Sequence, residues 1–100
     1  MKRDIKGIDL AASADMDKLK IKVTLATQIA GAVKRLGLTQ EEAAKRMGLP
    51  QPKVSAVMRG EFGNISERKL MECLNGLGYD IEIKVRPASQ PRGHLMLAVA

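Results

Sequence analysis

Apolar residues recur three and four apart at Leu25, Ile29 and Val33, with Ala26, Ala30 and Leu36 alongside, the spacing of one helix face. Ser13 stands ahead of Ala14-Asp15-Met16-Asp17, a capping residue followed by acids that the positive end of a helix favours. The pattern predicts a helix from Ser13 to Leu36, closed by Gly37. Inside it, Leu19-Lys20-Ile21-Lys22-Val23 alternates and also suits a strand, which leaves the helix start open. Gly31 costs about 1 kcal/mol against Ala in a helix and permits a close crossing.

Three shorter helices follow. Thr39-Gln40-Glu41-Glu42 is a capping box, in which hydroxyl and carboxylate each satisfy an amide that the helix leaves unpaired. That helix stops at Gly48, and Leu49-Pro50-Gln51-Pro52 turns the chain into a helix reaching about Arg59 and ending at Gly60. Residues 61–65 read as a loop, and Ser66 caps a last helix with Leu70, Met71, Leu74 and Leu77 inward and Gly78 at its end. The period then changes to two. Tyr79, Ile81, Ile83 and Val85 alternate with Asp80, Glu82, Lys84 and Arg86, the pattern of a half-buried strand, and Pro87 terminates it. Residues 88–94 read as a flexible tail, and Leu95-Met96-Leu97 fits no local pattern.

Composition agrees with a helical protein. Phe62 and Tyr79 are the only aromatics among many Ala, Leu, Lys, Glu and Met residues. One hundred residues make one domain with a modest core. The fold class is therefore all-α: a bundle of four to five helices plus one short C-terminal β-strand. The divisions are an arm at 1–12, a helical domain at 13–78, a dimerisation or partner-binding strand at 79–87, and a tail at 88–100. A net charge of +6 suits a polyanionic partner but does not choose between nucleic acid and an anionic membrane surface. The lone Cys73 excludes an internal disulfide, fits a reducing compartment, and by its position beside Leu74 reads as a buried core thiol. The first ten residues hold no continuous apolar stretch, and the apolar run at 95–100 falls short of the roughly 20 residues of a membrane span. The cytoplasm is the expected location.

Chemistry-bearing motifs other than one are missing. His94 has no second ligand type nearby, so no metal is expected. Glu41 and Glu42 point about 100° apart on a helix and are explained by capping, not by acid–base work. No phosphate loop or nucleophile motif occurs, so neither a cofactor nor an enzymatic activity is expected.

The informative stretch is Gln40 to Arg59. Two helices packed almost perpendicularly need a small residue at the crossing, and Ala44 fits. The turn needs a residue tolerant of positive φ, and Gly48 follows four later. The second helix must press apolar side chains on the first, and Val54 and Val57 stand three apart, while Met47 and Leu49 bury the turn. With these positions filled, residues 25–77 resemble the lambda-repressor-like, XRE-type helix-turn-helix family. The continuation Gly76-Leu77-Gly78-Tyr79 to Pro87 is similar to its HigA-like antitoxin branch.

The resemblance implies a recognition helix in the major groove, beginning at Gln51. It implies a phosphate contact from Gln40, and places Gln51, Pro52, Lys53, Ser55 and Ala56 at the start and outer face of that helix. Gln51 suits base reading, because its amide donates and accepts at an adenine edge. Lys53 and Arg59 suit phosphates, Ser55 suits either, and Ala56 offers a methyl contact. One departure stands out: Pro50 occupies the position where this family commonly has a capping Ser or Thr. The expected function is a sequence-specific repressor, an antitoxin repressing its own operon, with a stand-alone XRE-type regulator as the alternative. The expected partners are an operator in double-stranded DNA, a second copy of the chain, and a small basic toxin; no membrane is expected. Tyr79, Ile81, Ile83 and Val85 would pair across the homodimer, since a lone strand has no stability of its own. Ile5, Ile8 and Leu10 in the arm, and Leu95, Met96, Leu97 and Val99 at the far end, are apolar sets for a partner.

Overall fold

The computed structural model describes residues 10–100, with side chains described from Asp15 onward. Among these residues the chain forms four helices: α1 (Leu10–Arg35), α2 (Gln40–Met47), α3 (Gln51–Met58) and α4 (Glu67–Gly76). The helix assignments of the sequence hold closely for α2 to α4. Helix α1 begins earlier than Ser13, because Ala11 and Ala12 are strong helix formers and carry the helix through the capping residue. Residues 10–12 are thus helix and not arm; Ile5 and Ile8 lie outside the described residues. The alternating run Leu19 to Val23 is helical, with Leu19 and Val23 exposed and Ile21 packed on the core.

Each short helix is closed by local chemistry. The Thr39 hydroxyl accepts from the Glu42 amide at 3.1 Å, and the Glu42 carboxylate accepts from the Thr39 amide at 2.8 Å. These bonds to the charged form hold the Glu42 carboxyl below its ordinary pKa. Gly48 ends α2 in the left-handed region at φ 68°, where a Cβ would be strained, and its amide reaches back to the Ala44 carbonyl. Ser66 caps α4 by accepting from the Lys69 amide.

One core unites the four helices. Leu25, Ala26, Ile29, Ala32 and Val33 of α1 meet Ala43 and Met47 of α2, Val54 and Val57 of α3, and Leu70, Cys73 and Leu74 of α4. Leu49, Ile65 and Leu77 close it from the connections. Two details differ from the periodicity: Ala32 takes the buried place expected of Ala30, and Leu36 lies past the helix end and is exposed. The Cys73 thiol is buried and donates to the Met47 carbonyl at 3.5 Å; burial pushes its pKa up.

The close crossing falls at Gly76, not Gly31. Nothing lies within 4 Å of where a Gly31 Cβ would stand, whereas a Gly76 Cβ would overlap the Arg46 carbonyl oxygen. The backbones of α2 and α4 touch here, and Arg46 Nε donates to the Gly76 carbonyl at 3.2 Å.

The expected strand at Tyr79–Val85 is not formed. Tyr79 and Ile81 pack on the core, while Ile83 and Val85 are 77% and 95% exposed. The segment is extended but irregular. The physical reason is the absence of a partner edge among the described residues: period-two patterning specifies a half-buried face, not the strand that must pair with it. Tyr79 is held by its amide on the Leu74 carbonyl, by Asn75 donating to its carbonyl, and by the Arg35 guanidinium 5.5 Å from its ring centre. Farther on, the tail returns to α1. The Leu95 amide donates to the Asp17 carboxylate at 3.2 Å, His94 Nδ1 lies 3.4 Å from the same oxygen, and Leu97 packs on the core.

Candidate nucleic-acid interface

Helix α3 is built to show one face outward. Val54 and Val57 are fully buried against the other helices, which fixes the rotation of α3 about its axis. At about 100° per residue, the opposite face then carries Pro52, Ser55, Ala56 and Arg59, with Gln51 and Lys53 on its two flanks. Gln51, Pro52, Lys53 and Arg59 are exposed, and Ser55 and Ala56 half-buried. Gln40 is exposed at the start of α2. Pro50 precedes α3 with no side-chain cap, as its lack of a hydroxyl dictates; its carbonyl instead accepts from the Lys53 and Val54 amides at 2.9 and 3.1 Å.

The motif core is assembled at the turn. The Ala44 carbonyl accepts from both Gly48 and Leu49 amides, at 2.9 and 3.2 Å. Ala44 itself is half-buried, and its neighbour Ala43 is the fully buried small residue of α2.

Three features lay outside the sequence reading. Lys53 lines a shallow groove with Pro50, Asn64, Ser66 and Lys69, so a second cation from α4 stands beside it. The Lys69 position, three after a capping Ser, was the available signal. The loop after α3 is tied to α1 by Lys22, whose ammonium donates to the Gly63 carbonyl at 3.1 Å. Arg59 does not project freely: it donates to Ser55 Oγ at 2.6 Å and to Glu61 Oε1 at 3.0 Å. Among the described residues, no group of acidic, His and Cys side chains stands together to hold a metal. No described helix is long and apolar enough to cross a membrane.

This arrangement, two short helices joined at a left-handed glycine with the second showing a polar and cationic face, is that of a helix-turn-helix protein. A family profile described as a helix-turn-helix domain matches residues 9–86. A solved structure described as a "Putative XRE Family Transcriptional Regulator" superposes with a TM-score of 0.75 at 34% identity, covering 86% of this chain and 97% of that one. No curated protein matches the chain. The chain belongs to the XRE-type helix-turn-helix family.

Proposed function

We propose that this protein is a sequence-specific DNA-binding transcription regulator that lays α3 in the major groove. The carrying observation is the polarity of α3 about its axis: Val54 and Val57 are locked in the core, Pro52 and Arg59 are exposed on the opposite face with Ser55 and Ala56 half-buried beside them, and Gln51 and Lys53 are exposed on its flanks. The width of the major groove admits one helix, and such a face supplies base-edge and phosphate contacts together. The net charge of +6 supports the electrostatic part of binding. Gln51 reads a base; Lys53 and Gln40 hold phosphates and set the register. Duplexes selected from a random pool test this reading. Gln51→Ala should cost about 1–3 kcal/mol on the selected site and relax preference at one base pair. Lys53→Ala should weaken all duplexes alike and reduce the salt slope by about 1. Unchanged affinity in both variants removes α3 from the interface.

In the finer reading the regulator works as a two-fold dimer and as the antitoxin of a toxin–antitoxin pair, repressing its own operon. The bare side chains of Ile83 and Val85 support pairing of residues 79–85 with a second copy. Ile83→Pro should then leave the helices intact and yield a monomer in sedimentation. The exposed Leu95, Met96 and Val99 support a protein partner. The product of the neighbouring reading frame should co-purify; if it does not, the stand-alone regulator is the correct form.

A further inference from the structure

The Arg59–Glu61 pair sits at the edge of the proposed DNA-reading face, and its geometry is imposed by the main chain. Two residues apart on a continuous helix would point about 200° from one another. Helix α3 stops at Arg59, and Gly60 turns the chain at φ 83°. The Gly60 amide donates to the Val57 carbonyl at 2.9 Å and the Glu61 amide to the Ala56 carbonyl at 2.8 Å. This tight turn brings the Glu61 carboxylate back to 3.0 Å from the Arg59 guanidinium, whose other arm reaches Ser55 Oγ. Both side chains remain more than half exposed, at 56% and 66%, so a phosphate has access to the same guanidinium.

We propose that Glu61 is a positioning residue that acts through Arg59 and restrains sequence-independent binding. Its carboxylate occupies Nη2, one of the donors a DNA phosphate would take, and offsets the charge of the guanidinium, so Arg59 adds less to the grip on an arbitrary duplex. A phosphate either displaces Glu61 from Nη2 or takes another donor of the same guanidinium, and in both cases it lies close to the Glu61 negative charge. The effect lowers background affinity and leaves discrimination to contacts such as Gln51. This inference rests on the DNA-binding reading above.

The test is binding of a random-sequence duplex over a salt series by wild type, Glu61→Gln, Arg59→Ala and the double variant. Gln keeps the size of the side chain and removes the charge. Glu61→Gln should bind about two- to fivefold tighter, the range an exposed ion pair commands. The plot of log affinity against log salt should steepen by up to about 0.9, one more phosphate neutralised. In the Arg59→Ala background the same change should have no effect. An equal gain in both backgrounds would show that Glu61 repels DNA directly, without Arg59, and overturns the proposal; so does no gain in either. Wild type that fails to bind the duplex even at low salt is a different result and defeats the DNA-binding reading itself.

Discussion

Replacing Gly76 and Gly31 by Ala should change stability in opposite directions, and the structure supplies both magnitudes. A Cβ at Gly76 would overlap the Arg46 carbonyl oxygen, lie 2.9 Å from its carbonyl carbon and 3.6 Å from the Met47 Cα. All three atoms are backbone, so no side chain can rotate away. Relief requires α2 and α4 to separate, which loosens Ala43 and Met47 against Cys73 and Leu74 and stretches the Arg46–Gly76 bond. Overpacking of this kind costs about 3 kcal/mol, the upper part of its usual range. Ala regains at most about 1 kcal/mol of helix preference over Gly, for a net loss of about 2 kcal/mol. In a domain of this size that lowers Tm by roughly 8–16 °C. Gly31 lies inside α1 with nothing within 4 Å of its absent Cβ, so Gly31→Ala carries only the gain, about 0.5–1 kcal/mol. Thermal unfolding followed by far-UV circular dichroism reads both. A Gly76→Ala protein as stable as wild type would refute the placement of the crossing, and a destabilised Gly31→Ala would refute the open space at α1.

Two further outcomes follow from buried or anchored groups. The Leu95 amide, then desolvation in the opposing sense, then His94 and Lys20 act on Asp17, with the net effect of lowering its pKa. A carboxyl whose folded pKa is depressed stabilises the fold above its unfolded value and loses that contribution as pH falls through the folded one. The tail should therefore stay on α1 at neutral pH and detach only in acid below the ordinary aspartate range. Asp17→Asn should weaken the anchor at neutral pH; NMR shifts of the Leu95 amide that ignore both acid and substitution would contradict the contact. Cys73 is buried with a raised pKa, so its thiol should react with a disulfide reagent only as fast as the protein opens, and rapidly in guanidinium. Free-thiol rates in the native protein would place Cys73 outside the core.

What the sequence disclosed was what short-range chemistry controls. The Thr39 box, the Ser66 cap, the left-handed Gly48 and the Val54–Val57 pair each depend on residues within four positions, and each reads directly from its neighbours. The face of α3 follows from those two valines alone. The start of α1 stays open in the sequence because Leu19 to Val23 alternates as a strand would; in the structure that run is helical, and the helix extends past the capping Ser13 to Leu10 through Ala11 and Ala12. The strand failed because alternation describes one segment, whereas a ladder needs two. The Arg46–Gly76 crossing and the Asp17–Leu95 anchor join residues 30 and 78 apart, and nothing local marks them. The Arg59–Glu61 pair was within reach, since opposite charges flanking a helix-ending glycine are visible in the sequence.

Amide NMR shifts on titrating a selected duplex into the labelled protein test most directly whether the outer face of α3 meets DNA. The largest changes should fall at Gln51 and residues 53–59, smaller ones at Gln40 and Lys69, and little at the anchored tail around Leu95. Shifts concentrated on α1 and the tail, with Gln51 and 53–59 unmoved, would contradict that contact.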